Sequence, residues 1–164
     1  VEKEQRLHPN VIPYWRLRRL IWLFKSTTLW SVPIAIHLIW MEDWKWLMYI
    51  ASIYIMYRWL TSILYMTYGV RYRYERSSYR LTNDEIIIRW GGWWSSSSCV
   101  IPLNRVQHVD IEQDVIQRKF GLSNLDIVTA GDVNSLIGLR ESDTELLQRK
   151  IIELAKLGDT NAYH

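Results

Sequence analysis

Residues 85–102 read Glu85-Ile86-Ile87-Ile88-Arg89-Trp90-Gly91-Gly92-Trp93-Trp94-Ser95-Ser96-Ser97-Ser98-Cys99-Val100-Ile101-Pro102. An isoleucine run, two glycines and a returning run of small and β-branched residues together predict a β-hairpin. Gly91-Gly92 is the dipeptide expected of a two-residue primed turn, where both residues take positive φ. Glu85 to Trp90 forms the outgoing strand, and Trp93 through Ser95–Ser98 toward Ile101 the return. Pro102 ends that strand or marks an edge.

Strand signals continue on both sides. Before the hairpin, Tyr79-Arg80-Leu81-Thr82 reads as a short strand and Asn83-Asp84 as a turn. After it, Arg105 to Gln113 alternates, with Val109 and Ile111 on one face and His108, Asp110 and Glu112 on the other. Asp114 to Phe120 allows one helical turn, stopped by Gly121. Leu125–Thr129 and Asn134–Leu139 read as further strands. A C-terminal helix is expected to start on the capping-box pair Ser142 and Glu145, to carry Leu147, Ile151 and Leu154 on one face, and to end at Gly158. Residues 78–157 thus form a small antiparallel sheet closed by one helix.

N-terminal to the hairpin the texture changes. Two aromatic-rich apolar runs, Leu20–Trp40 and Trp44–Tyr68, are separated by the acidic break at Glu42-Asp43. Each approaches the roughly 20 residues that cross about 30 Å of hydrocarbon. With 10 Trp and 10 Tyr against 2 Phe, the aromatics are of the amphipathic kind that favours a membrane–water interface. Trp40, Trp44 and Trp46 suit an outer belt, and Trp15 and Trp22 an inner one.

The expectation is an α+β membrane protein. It has a basic segment at 1–19, transmembrane helices at 20–40 and 44–68, an outer turn at 41–43 and a linker at 69–77. The sheet domain at 78–157 and a tail at 158–164 follow. Arg16, Arg18 and Arg19 precede the first run, and Arg71, Arg73 and Arg76 follow the second. By the positive-inside rule this puts both termini and the sheet domain in the cytoplasm of a multi-pass membrane protein. Trp40-Met41-Glu42-Asp43-Trp44 leads directly into more apolar sequence, which argues against a cleaved signal peptide.

Lys25 and Arg58 interrupt the runs as intramembrane or interfacial cations. Arg58 lies near the level of Ser26–Trp30, and either snorkels to headgroup phosphates or bonds Thr27, Thr28 or a partner's acid.

A net charge of +3 is too mild to argue for nucleic acid, and the single Cys99 excludes an intrachain disulfide framework. Cys99 and His108 lack a third orienting group, so no catalytic residue is assigned and no enzyme is expected. His108 beside Asp110 falls short of a zinc ligand set, and no metal or cofactor is expected.

Ile101-Pro102-Leu103-Asn104-Arg105-Val106-Gln107-His108-Val109-Asp110, Arg118-Lys119-Phe120-Gly121-Leu122, Val128-Thr129-Ala130-Gly131 and Leu7-His8-Pro9 carry a resemblance. In their order along the chain they resemble the bacterial pleckstrin-homology (PH)-like domain of YdbS-type membrane proteins, over nearly the whole chain. The resemblance implies seven strands in a bent sheet with a capping helix. It also implies a multi-pass protein often paired with a related membrane protein, and no established catalytic residues. Where that family is often basic, before Ile101-Pro102, this chain has Ser95–Ser98.

Site candidates follow. Trp90, Trp93 and Trp94 at the hairpin tip suit contact with a bilayer or another subunit. Arg105, Gln107, His108 and Arg118 are possible polar contacts, either tying strands or holding an interface. The expected function is a binding or scaffold protein that assembles a complex at the bacterial cytoplasmic membrane. Its partners would be membrane lipids and either itself or a related PH-like membrane protein. A lipid-handling component is the alternative, and a membrane enzyme comes third.

Overall fold

The computed structural model describes residues 4–40, 45–92 and 95–161. The chain divides into two compact units: Val1–Tyr14 with Tyr72–His164, and Trp15–Arg71.

Among the described residues the first unit holds seven strands in two antiparallel sheets. β1 (Gln5–Arg6), β2 (Ser78–Leu81), β3 (Glu85–Gly91) and β4 (Ser96–Pro102) form one, in that order. β5 (Val106–Glu112), β6 (Leu122–Thr129) and β7 (Val133–Arg140) form the other. The isoleucine run resolves by the period of two: Ile86 and Ile88 are fully buried, and Ile87 between them is partly exposed. Ile101, Leu122, Leu125, Ile127 and Leu136 are buried with them in the apolar interior. On β5, Val109 points inward while His108, Asp110 and Glu112 are exposed; Ile111, expected to share the Val109 face inside, is exposed as well.

The hairpin between β3 and β4 closes further out than expected. Gly91 pairs with Ser96 inside the ladder, and the Gly92 N–H donates to the Ser95 carbonyl at 2.8 Å. Neither glycine has positive φ. Gly91 is required by space: a Cβ there would come within 2.3 Å of Arg76 Cβ.

α4 (Val115–Phe120) is fixed at both ends. Asp114 caps its start through a capping box with Gln117, and Gly121 ends it in the left-handed region at φ 63°. α5 (Glu141–Asn161) follows β7 without a break, so Ser142 lies inside the helix rather than at its cap, and the helix runs past Gly158. Buried Thr144 anchors it, hydrogen-bonded to Ser123 at 2.7 Å, and Gln148 Nε2 donates to the Val109 carbonyl at 2.6 Å.

The N-terminal segment belongs to this unit. The His8 N–H donates to the Gly138 carbonyl, Tyr14 Oη to Asp114 Oδ2 at 2.9 Å and Tyr74 Oη to the Leu7 carbonyl. Leu7, Val11 and Tyr14 are buried at a spacing of three or four residues, one face of a helix and its approach. Ser78, Arg80 and Arg89 hold the Glu4 carboxylate, which lowers its pKa; the Ser78 hydrogen bond is the largest cause. Tyr79 donates to Gln5 Oε1, and burial, reinforced by Asp143, pushes its phenol up to about 12.

The second unit is a helical hairpin of α1 (Val11–Trp40), which enters it at Trp15, and α2 (Lys45–Leu64). Helical residues continue through a π-turn at Tyr65–Gly69 into α3 (Val70–Glu75). The contacts run antiparallel: the Arg16 Nε donates to the Met66 carbonyl, Phe24 meets Trp59 edge-on and Trp30 meets Tyr54. Leu23 and Ser62 are fully buried.

The transmembrane reading of this hairpin is corrected. Among the described residues no helix is long and apolar enough to cross a membrane. The physical reason lies in its composition. Lys25 and Arg58 break the runs, Ser26-Thr27-Thr28 dilutes the first, and Trp and Tyr bring polar edges that suit an interface better than a hydrocarbon core. The spans at 20–40 and 44–68, and the topology derived from them, go with it.

Candidate functional site

The hairpin carries its apolar residues outward. Leu29 and Tyr49 are 72% and 71% exposed, and Ile53, Met56, Tyr57 and Leu60 on α2 are also exposed. Several of its hydroxyls are satisfied within the helices. Thr27, Thr28, Thr61 and Thr67 each donate to a carbonyl one turn back in their own helix, as do Ser26 and Ser31. Such back-bonding satisfies a hydroxyl without water.

Cations stack on the aromatic side chains of this surface. The Arg58 guanidinium lies 4.4 Å from the Trp22 ring centre and 5.9 Å from that of Tyr54, and its Nη1 donates to Tyr54 Oη at 3.3 Å. The Arg19 guanidinium lies 5.1 Å from the same Trp22 ring and 5.3 Å from Tyr65. Arg58 therefore meets Trp22, a turn before the expected Ser26–Trp30 level, while Trp59 Nε1 occupies Thr27 at 3.3 Å. Lys25 is exposed. Sequence reasoning missed Arg19; its spacing of three from Trp22 puts the two on one helix face, which is the signal that finds it.

The remaining candidates are not brought together. Trp90 sits half-buried on β3 opposite Ser97. Trp93 and Trp94 lie outside the described residues, as do Glu42 to Trp44 and the side chain of Trp40. Arg105 ends the 3-10 turn Leu103–Arg105 and Arg118 lies in the last turn of α4, both exposed. Gln107 is the extra residue where the β5–β6 register shifts between Val106 and His108. His108 Nε2 lies 3.4 Å from Asp110 Oδ2, with both side chains more than half exposed, a surface pair worth little. Among the described residues no group of His, Cys, Asp and Glu is placed to hold a metal.

The first unit also has a cleft of about 220 Å³ between β1–β2 and α5, where Gln5, Tyr79, Asp143 and Lys150 meet three leucines.

The model of the "Bacterial PH domain" family matches residues 19–155. The chain belongs to the bacterial PH domain family. The two sheets and capping helix are therefore a PH-like fold, of the YdbS type that the motifs resemble. One relative is the UPF0699 transmembrane protein YdbS of Bacillus subtilis (strain 168), 25% identical over 158 residues that cover 96% of each chain. Among solved structures, the crystal structure of a DUF1696 family protein with a pleckstrin-homology domain from Shewanella loihica PV-4 is 18% identical. It covers 51% of this chain and 74% of that one, with a TM-score of 0.40. The family match starts at Arg19, so β1 and the buried Leu7, Val11 and Tyr14 precede it.

Proposed function

We propose that this chain is a membrane-associated PH-like binding module of the bacterial cytoplasmic membrane, whose role is to assemble a complex with itself or a related PH-like protein rather than to catalyse a reaction. The observation that carries the membrane part is the outward-facing apolar hairpin. Large apolar and aromatic side chains are exposed along both helices, and an apolar surface of this kind is covered by lipid or protein. The back-bonded hydroxyls support the same reading, as does the fact that the Bacillus subtilis relative is named a transmembrane protein. The PH-like unit supplies the assembly surface. Lipid handling, favoured by the cations stacked on Trp22, is the second reading.

Vesicle flotation of the full chain tests the membrane part. The protein is expected to float with phosphatidylcholine vesicles. An I53S/Y57S/L60S variant, which removes three exposed side chains of one α2 face, is expected to stay at the bottom. Each such side chain contributes about 1.5 kcal/mol or more on burial, so partition should fall at least ~100-fold. Undiminished flotation of the variant would exclude this face as the membrane contact.

A further inference from the structure

We infer that Arg19 and Arg58, sharing the ring of Trp22, form a seat for the phosphate of an anionic phospholipid headgroup. This rests on the membrane association proposed above and names the lipid class it selects.

The two guanidiniums come from different helices, 39 residues apart in sequence, and converge on one indole, 5.1 and 4.4 Å from its centre. Among the described residues neither has a carboxylate within 4.0 Å, whereas Arg80 and Arg89 in the other unit both share Glu4. The Arg19 Nε is buried without a hydrogen-bond acceptor. A desolvated donor of a charged group left unpaired is costly, and a second cation against the same ring adds to that cost. The indole offsets part of it by cation–π attraction, and an anion at the pair supplies the missing counter-charge.

The surrounding charge favours the same ligand. Residues 15–71 carry seven Lys and Arg against two acids, Glu42 and Asp43, which lie in the connection between α1 and α2. Leu29, seven residues on from Trp22 and so on the same face of α1, is exposed, apolar surface suited to an acyl chain beside the phosphate. Net negative phosphodiesters such as phosphatidylglycerol fit this combination. A phosphocholine brings its own cation and does not neutralise the pair. Planar, forked donors matter here, because guanidinium both stacks on indole and grips phosphate in two-point fashion, which an ammonium does not.

The full chain, bound to vesicles of phosphatidylcholine alone or with 30% phosphatidylglycerol, supplies the test. Wild type is expected to prefer the phosphatidylglycerol vesicles. R19Q/R58Q is expected to lose that preference about tenfold or more. R19K/R58K, which keeps the charge, should retain only part of it, while K45Q/R71Q, which removes the same charge from the same unit, should stay near wild type. All four should bind phosphatidylcholine alike. Equal losses in R19Q/R58Q and K45Q/R71Q would overturn the seat in favour of diffuse charge attraction. Full retention by R19K/R58K would overturn it too. Displacement of the preference by millimolar inorganic phosphate would assign the pair to free phosphate and overturn the lipid source. Failure of wild type to bind either vesicle would instead refute the membrane association itself.

Discussion

Gly138→Val is expected to release the N-terminal segment from the PH-like unit and to lower stability by more than about 3 kcal/mol. Gly138 lies where the β6–β7 register shifts, with Ser123 opposite Leu139 and Asn124 opposite Ile137. Its φ is +86°, and a Cβ there would stand 2.3 Å from Cγ2 of Val11 and 3.1 Å from its Cβ. The left-handed conformation alone costs a substituted residue roughly 1–2 kcal/mol. Val11 is fully buried, and expelling it forfeits about 1.5–3 kcal/mol more. Against a typical domain stability of about 5–15 kcal/mol, that is a large fraction. Hydrogen exchange over residues 4–14 is the direct readout, because the His8 N–H that donates to the Gly138 carbonyl should lose protection. Gly121→Ala is the control. Its φ is 63°, but a Cβ there would meet nothing within 4 Å, so the change should cost only roughly 1 kcal/mol and leave the segment protected. Adding Val11→Ala to Gly138→Ala should recover part of the loss by making room. Equal effects of Gly121→Ala and Gly138→Ala would contradict the packing argument.

Gln117→Leu should cost about 2–4 kcal/mol, despite near-identical volume. Gln117 is fully buried, and its Oε1 accepts from the Asp114 N–H at 2.8 Å while its Nε2 donates to Asn124 Oδ1 at 2.5 Å. Its own N–H donates to Asp114 Oδ1 at 2.6 Å, and the other oxygen of Asp114 receives Tyr14 Oη. One side chain thus joins the cap of α4 to β6, and through Asp114 to the start of α1. Leucine leaves the part-buried Asp114 N–H and Asn124 side chain without those partners and loses the network they share. Denaturant unfolding measures the loss. A change below about 1 kcal/mol would mean that water replaces both contacts.

The strands were legible because β-branched residues, alternation and glycine punctuation act locally. The isoleucine run, the stop at Pro102 and the Gly121 cap are all short-range statements, and the structure bears them out. β1 was not legible: two residues carry no period, and their partners, Ser78 and Tyr79, lie more than 70 positions away. Gly138 looks like an ordinary strand glycine until Val11 is placed over it. The Gly91-Gly92 turn misled because a glycine pair also serves close backbone approach, here against Arg76.

The hairpin was read correctly as two helices and incorrectly as two membrane spans. Counting Trp and Tyr as apolar residues hides their polar edges. The pairing of Arg19 and Arg58 through Trp22 needs the helix–helix register, which a single sequence does not give. Asp114 and Gln117 do carry capping-box spacing, but only the fold shows that Gln117 also reaches Asn124.

Native mass spectrometry of the full chain, extracted from its own membrane in mild detergent, reads the assembly itself. A defined multimer, or a co-purifying PH-like membrane protein, is expected in the membrane fraction. A chain recovered only as a monomer, with no protein partner, would contradict the assembly role.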